Sequence, residues 1–146
     1  MMRLMKTLTI LMAMALSFVG FNAHAGDFAE QKIVLQVSDA DKQGFVLNVA
    51  NNLVKTYGPD RVTVEVVAFG PGLGLLVDSK ENKNLSRLPG LASNGVKFSA
   101  CGNTLNKLTK KNNGKAPKLY ANASVVPAGV VRIIELQDQG YKLIKP

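Results

Sequence analysis

Residues 96–108, VKFSACGNTLNKL, change from a strand pattern to a helix pattern at one cysteine, Cys101. The segment VKFSA alternates apolar and polar side chains, which predicts a strand. The following segment, NTLNKLTKK, carries its two leucines at helical spacing, and we expect Asn103 or Thr104 to cap that helix. A strand that leads into a helix is the building unit of α/β proteins.

The same order repeats on both sides of Cys101. We expect strands at 32–37, 61–69, 96–100, 120–126 and 141–144, and helices at 45–57, 103–111 and 128–139. Strands separated by helices favour a parallel sheet that is covered on both faces. The sequence therefore predicts an α/β fold, a three-layer α/β/α domain with a mainly parallel five-stranded sheet.

Two segments have a less regular pattern. Residues 75–95 fit either one broken helix or two short ones, because a Pro-Gly pair interrupts the spacing of the leucines. In the last helix the apolar residues lie at helical spacing, and we expect Val130, Ile133 and Ile134 to point inward.

Residues 1–25 have the pattern of a secretory signal peptide. A short basic start precedes an apolar run that ends in AHA, with small residues at the positions that signal peptidase accepts. The run is short for a membrane span, and no basic stop-transfer cluster follows it. We expect cleavage after Ala25, a single mature domain of residues 26–146, a periplasmic location, and no membrane association after cleavage.

Cleavage of the signal peptide would change the residues available for chemistry. Loss of Arg3 and Lys6 leaves 16 of the 18 basic residues against 10 acidic ones, a net charge of +6. His24, the only histidine, would also leave, and Cys101 is the only cysteine. Such a chain cannot build a Ser-His-Asp triad, a Cys-His pair, a His-ligated metal site or a thiolate zinc cluster by itself. We expect no metal and no cofactor.

The loop around Cys101 is the first candidate site. In parallel sheets the ligand lies beyond the carboxyl ends of the strands, where helices begin, and free backbone N–H groups there stabilise an anion. Lysines at positions 107, 110, 111, 115 and 118 add a positive field that favours a thiolate. We assign catalysis to Cys101. The substrate contacts are assigned to Ser99, Gly102, Asn103, Thr104 and Lys107.

A glycine-rich loop, FGPGLGLL, follows the second predicted strand. It lacks the Lys-Ser/Thr pair of a Walker loop and the Gly-x-Gly-x-x-Gly pattern of a dinucleotide site. A tight strand-to-helix turn is sufficient to explain its glycines. The same loop can also form one wall of a pocket, through Gly70, Pro71, Gly72 and Gly74.

Two interpretations of Cys101 remain open. An unpaired cysteine in an exported protein indicates a reactive thiol or an intermolecular bridge. Free cysteine is also a common small, buried, apolar residue. If the strand alternation continued, Cys101 would share a face with Lys97 and Ser99 rather than with Phe98, which argues against burial in the core.

Three stretches of the chain resemble the DsrE/DsrF-like family of sulfur-relay proteins. These are GVKFSACGNTLNKL, the glycine-rich VEVVAFGPGLGLL, and the C-terminal VVPAGVVRIIELQDQGYKLIKP. The resemblance covers about residues 32–146 and implies an α/β/α fold that assembles as a homo-oligomer, a trimer or hexamer. It also implies that Cys101 accepts sulfur as a persulfide and passes it on. Several relatives carry histidine where this chain has Phe69, so an imidazole cannot activate Cys101 here.

The sequence supports three classes of function. The first is a periplasmic sulfur carrier, sulfurtransferase-like in its chemistry, that exchanges sulfane sulfur with a donor or acceptor protein or a small anionic sulfur compound. The second is a non-catalytic, oligomeric small-ligand-binding module with an inert cysteine. Nucleic-acid binding is suggested by the pI of 9.8 but ranks last, because the lysines of residues 107–118 have no aromatic residues among them for base stacking. We expect no nucleic-acid partner.

Overall fold

The computed structural model describes residues 30–146, and the predicted signal peptide lies outside that range. The strands are β1 (Gln31–Val37), β2 (Val62–Ala68), β3 (Lys97–Cys101), β4 (Ala123–Val126) and β5 (Lys142–Ile144). They form a five-stranded sheet in the order β4-β3-β2-β1-β5. Every neighbouring pair is parallel, so the predicted α/β fold with a parallel sheet is confirmed.

The connections between the strands are α-helices and short 3-10 turns. The helices are α1 (Gln43–Tyr57), α2 (Leu88–Ser93), α3 (Gly102–Lys111) and α4 (Gly129–Asp138), and the 3-10 turns are Ala40–Lys42, Gly70–Leu76 and Leu85–Arg87. The segment 75–95 is therefore neither of the two predicted alternatives in full. It contains the end of the Gly70–Leu76 turn, the Leu85–Arg87 turn and one short helix, α2, with a proline in its first turn.

The two faces of the sheet carry cores of unequal size. On one face α1, α2 and the Gly70–Leu76 turn cover a large apolar cluster, which includes the buried side chains of Val46, Leu47, Leu73, Leu76, Leu88 and Phe98. On the other face α4 covers a small cluster of Val34, Val67, Ile133 and Leu136, with Phe69 and Tyr141 packed beside it. The sheet thus has a large apolar core on one face and a small one on the other.

The orientation predicted for α4 is partly wrong. Ile133 is buried as expected, but Val130 is 56% exposed and Ile134 is 53% exposed. The second buried side chain of the helix is Leu136. A single helix crossing the sheet can bury only a narrow stripe, and the apolar residues of α4 span a wider arc than that stripe.

None of the helices within residues 30–146 has the length and apolar character needed to cross a bilayer.

Candidate functional site

Cys101 lies at the junction of β3 and α3. It is the last residue of β3 and also the N-cap of α3, with an extended backbone. The predicted cap at Asn103 or Thr104 is therefore wrong, because the helix already begins at Gly102. The Cys101 side chain is only 6% exposed, so the expectation from strand alternation that it would escape burial is also wrong.

A second helix begins at the same place. β3 and β4 are parallel neighbours, and Cys101 pairs with Val126 at the end of β4. The chain then turns into α4, and the N–H of its first residue, Gly129, interacts with the Cys101 sulfur. A Cβ added at Gly129 would lie 3.0 Å from Cδ1 of Phe69 and 3.3 Å from Cβ of Cys101. A larger residue at this position would require Phe69, Cys101 or the start of α4 to shift.

Thr104 links the cysteine to the glycine-rich loop. Its hydroxyl oxygen accepts a hydrogen bond of 2.9 Å from the backbone N–H of Gly70. The same hydroxyl lowers the pKa of the Cys101 thiol. Thr104 therefore interacts with both the glycine-rich loop and the cysteine.

The surroundings of Cys101 favour the thiolate. Burial of the side chain raises the pKa of the thiol. The Gly129 N–H, the Thr104 hydroxyl and the N–H groups of Thr104 and Asn103 lower it by more, so the pKa of Cys101 lies below its ordinary value. Cys101 makes no close capping hydrogen bond of its own, and a neutral thiol is a weak acceptor, so these donors act chiefly on the charged sulfur. The lysines, expected to contribute, are not among these causes.

A groove of about 430 Å³ opens beside the cysteine. It is lined by Gly70, Pro71, Asn103, Thr104, Lys107, Leu108 and Lys111. Five of these residues are among those assigned to the site from the sequence, and Leu108 and Lys111 are additions on the same face of α3. Thr104 belongs to both places, because it lines the groove and interacts with the sulfur of Cys101.

The other assigned residues lie outside the groove. Ser99 is buried and donates a hydrogen bond of 2.7 Å to Glu65. A Cβ at Gly102 would lie 3.1 Å from the carbonyl oxygen of Val126, so this glycine lets α3 begin close to the end of β4.

The last two glycines of the predicted pocket loop serve packing. A Cβ at Gly72 would lie 2.3 Å from the carbonyl oxygen of Val37, at the end of β1. At Gly74 it would lie 2.9 Å from the Gln43 side-chain nitrogen. These two positions place the loop against β1 and α1, while Gly70 and Pro71 face the groove.

Gly129 is a further site residue that was not predicted from the sequence. The strand before Pro127 was predicted to be parallel to the strand of Cys101. Parallel neighbours end at the same edge of a sheet, so Gly129 would lie near Cys101 if these two strands were neighbours. Among residues 30–146, no three His, Cys, Asp or Glu side chains come together in a way that could hold a metal ion.

The comparisons identify the family. The DsrE/DsrF-like family model matches residues 31–146. The chain belongs to this family. It is also similar to MTH1491 of Methanobacterium thermoautotrophicum, a solved structure described as a protein of unknown function. That protein is 26% identical, the match covers 80% of this chain and 100% of MTH1491, and the TM-score is 0.64. No curated protein matches the chain.

Proposed function

We propose that this DsrE/DsrF-like protein is a sulfur carrier in which Cys101 holds sulfane sulfur as a persulfide. The observation that carries the proposal is the pair of helix N-termini, of α3 and α4, that meet at the sulfur of Cys101. Both present backbone N–H groups and the positive end of a helix dipole, which stabilise a negatively charged sulfur. A thiolate is the form of cysteine that attacks another sulfur atom.

The transfer needs only the one cysteine. The Cys101 thiolate attacks the outer sulfur of a donor such as thiosulfate, a new S–S bond forms, and sulfite leaves with the electron pair of the broken S–S bond. The thiolate of an acceptor then attacks the outer sulfur of the persulfide, and Cys101 leaves as a thiolate. No other oxidant or reductant takes part, and the second thiol belongs to the acceptor.

The groove is suited to a small anionic sulfur donor. Lys107 and Lys111 line it, and their charges attract an anion toward Thr104 and the cysteine behind it. The terminal sulfur of a persulfide is itself anionic, so the N–H groups that stabilise the thiolate also suit the loaded form. An acceptor protein would have to reach the same groove.

We further propose that the carrier acts in the periplasm, on the basis of the signal-peptide pattern of residues 1–25. A periplasmic protein would exchange sulfur with exported partners or with small sulfur compounds rather than with tRNA-modifying enzymes. Assembly into a homo-oligomer is part of this proposal and rests on the family resemblance.

One observation favours the alternative, a ligand-binding module with an inert cysteine. Cys101 is only 6% exposed, and it is not among the residues that line the groove. Burial alone would raise the pKa of the thiol and keep it neutral. The two functions therefore differ in whether the folded protein reacts at Cys101.

The proposal is tested by intact-protein mass spectrometry of residues 26–146 before and after incubation with thiosulfate and with polysulfide. A sulfur carrier gains the mass of one or more sulfur atoms, the gain disappears after addition of reductant, and Cys101→Ser gains nothing. Unchanged mass with both donors, or equal loading of Cys101→Ser, would show that Cys101 does not carry sulfur.

A further inference from the structure

We propose that Glu65 is a positioning residue for Cys101: its buried carboxylate anchors Arg132 of α4 and so holds the N–H of Gly129 against the sulfur. This role goes beyond sulfur carriage, because it concerns how the fold positions a backbone donor beside the thiol, whatever chemistry the thiol serves. It rests on the proposed function only in taking Cys101 as the reacting group.

Glu65 is a charged residue in the interior of the sheet. It lies in the middle of β2 and is 2% exposed. Arg132 binds it with both arms of the guanidinium, Nε to Oε1 at 2.8 Å and Nη2 to Oε2 at 2.9 Å. Ser99 donates a third hydrogen bond, of 2.7 Å, to Oε1. The carboxylate is thus held by β3 on one side and by α4 on the other.

Stability alone does not account for a carboxylate at this position. Central strands of parallel sheets are normally apolar on both faces, and a buried ion pair is often no more stabilising than apolar residues of the same volume. What a bidentate pair adds is fixed geometry, because the planar fork of arginine meets a carboxylate in one orientation.

Helix α4 needs such an anchor. It has ten residues, and the apolar side chains that it buries are Ile133 and Leu136, in its middle and second half. Val130, Val131 and Ile134 are exposed and do not hold it to the sheet. Arg132 lies one turn from Gly129, so the Glu65–Arg132 pair is the polar contact that fixes the first turn of the helix.

The contacts form a closed ring around the site. Ser99 and Cys101 lie two residues apart on β3 and face the same side of the sheet. From Ser99 the ring passes to Glu65 on β2, to Arg132 on α4, and through Gly129 back to Cys101. A displacement of α4 along or away from the sheet would therefore move the Gly129 N–H relative to the sulfur.

The charges around Glu65 are consistent with a permanently ionised anchor. Burial raises its pKa, but the hydrogen bonds from Arg132 and Ser99 and the charges of Arg132 and Lys97 lower it by more. Tyr141 also faces the carboxylate, and its own pKa is raised, by burial first and then by Glu65. The anchor thus stays charged throughout the range in which a thiol titrates.

The test is the pH dependence of Cys101 alkylation by iodoacetamide in the folded chain of residues 26–146. Glu65→Gln keeps the shape of the side chain and removes its charge. We expect the midpoint of alkylation to move to higher pH and the rate at neutral pH to fall several-fold. The matched control is Glu135→Gln, which removes the exposed carboxylate 3.4 Å from the same Arg132 and should leave the midpoint in place.

Circular dichroism would establish that each variant is folded. If Glu65→Gln does not fold, Arg132→Lys serves instead, since it keeps the charge and loses the bidentate contact, and the same shift is expected. A folded variant with the wild-type alkylation profile would overturn the positioning role. Sulfur loading is scored separately, so a shifted profile in a protein that takes up no sulfur would leave this inference standing and reject sulfur carriage.

Discussion

Gly129, the first residue of α4, packs against Cys101, the last residue of β3: a Cβ added at Gly129 would lie 3.3 Å from the Cβ of Cys101. The two are distant in sequence and meet because β3 and β4 are parallel neighbours that end at the same edge of the sheet. The thiol therefore lies at the start of two helices rather than one. This arrangement explains why the pKa of the thiol is lowered although the side chain is buried.

The contact between Gly129 and Phe69 predicts the effect of a single added methyl group. Gly129→Ala places a Cβ 3.0 Å from the Phe69 ring and 3.3 Å from the Cβ of Cys101. The start of α4 must move away, so we expect a higher pKa of Cys101 and a loss of roughly 1–3 kcal/mol in the free energy of unfolding from overpacking. Urea denaturation and the pH profile of alkylation measure the two effects.

Gly90→Ala is the matched control for that substitution. Gly90 also lies in a helix, α2, and an added Cβ there meets nothing within 4 Å. We expect an unchanged thiol and a gain of up to about 1 kcal/mol from helix propensity. Equal alkylation profiles for Gly129→Ala and Gly90→Ala would contradict the role of α4.

Removing the hydroxyl of Thr104 should also raise the pKa of Cys101. Thr104→Val keeps the shape of the side chain but deletes the donor to the sulfur and the acceptor of the Gly70 N–H. We expect slower alkylation at neutral pH and a loss of about 1–2 kcal/mol in stability. Thr104→Ser should restore both.

Thr109 provides the control within the same helix. Its hydroxyl donates to the carbonyl of Leu105, one turn back along α3. Thr109→Val makes the same chemical change away from the cysteine and should leave the thiol profile unchanged. If Thr109→Val shifts the profile as much as Thr104→Val, helix destabilisation rather than hydrogen bonding controls the thiol.

The lysines of the groove should affect access of anions rather than ionisation of the thiol. We expect the double variant Lys107→Gln, Lys111→Gln to react roughly two- to fivefold more slowly with the anion iodoacetate. Its reaction with neutral iodoacetamide should be unchanged, since the donors that lower the pKa of Cys101 remain. The double variant Lys110→Gln, Lys115→Gln removes the same charge outside the groove lining. An equal effect on both reagents would assign the lysines to the pKa instead.

Glu65 predicts a dependence of stability on pH. Its pKa is lowered in the folded state from an ordinary value of 4.5, because the bonds from Arg132 and Ser99 outweigh the effect of burial. A lowered pKa means that the ionised group stabilises the fold fully above about pH 4.5, and that this contribution is lost as the pH falls through the folded-state pKa.

Urea denaturation of Glu65→Gln over a range of pH checks the direction in which the stabilisation by Glu65 changes with pH. We expect the variant to be less stable than the wild type by roughly 3–5 kcal/mol at neutral pH, as for one partner removed from a buried pair. The difference should narrow in acid. Glu135→Gln, whose side chain is 54% exposed, should cost less than about 1 kcal/mol. A constant gap between wild type and Glu65→Gln at all pH values would contradict the lowered pKa.

The fold and half of the site could be predicted from the sequence. The first strand, KIVLQV, is largely apolar, VKFSA alternates apolar and polar side chains, and the step from VKFSA to NTLNKL places Cys101 at a helix start. The half contributed by α4 could not be predicted in the same way, because Gly129 reaches Cys101 only through the pairing of β3 with β4. Local sequence patterns do not determine which strands are neighbours in the sheet.

The burial of α4 residues and of Cys101 differs from the prediction for the same reason. Val130 and Ile134 follow a helical period, but within residues 30–146 α4 is the one helix on its face of the sheet, and the side chains that it buries are Ile133 and Leu136. Cys101 is buried because the start of α4 covers it, although its strand face is the more polar one. In both cases the deciding factor is which element covers the surface, and periodicity does not specify that.

The most direct test of whether the N-termini of α3 and α4 activate Cys101 is its rate of alkylation by iodoacetamide as a function of pH. The rate is measured in the folded chain and in the same chain unfolded in urea. If the two helix N-termini activate Cys101, the folded protein reacts, and the midpoint of its alkylation profile lies at lower pH than that of the unfolded chain. A folded protein that does not react, or whose midpoint lies at the same or a higher pH, would show that the two helix ends do not activate the cysteine and that Cys101 is a packing residue.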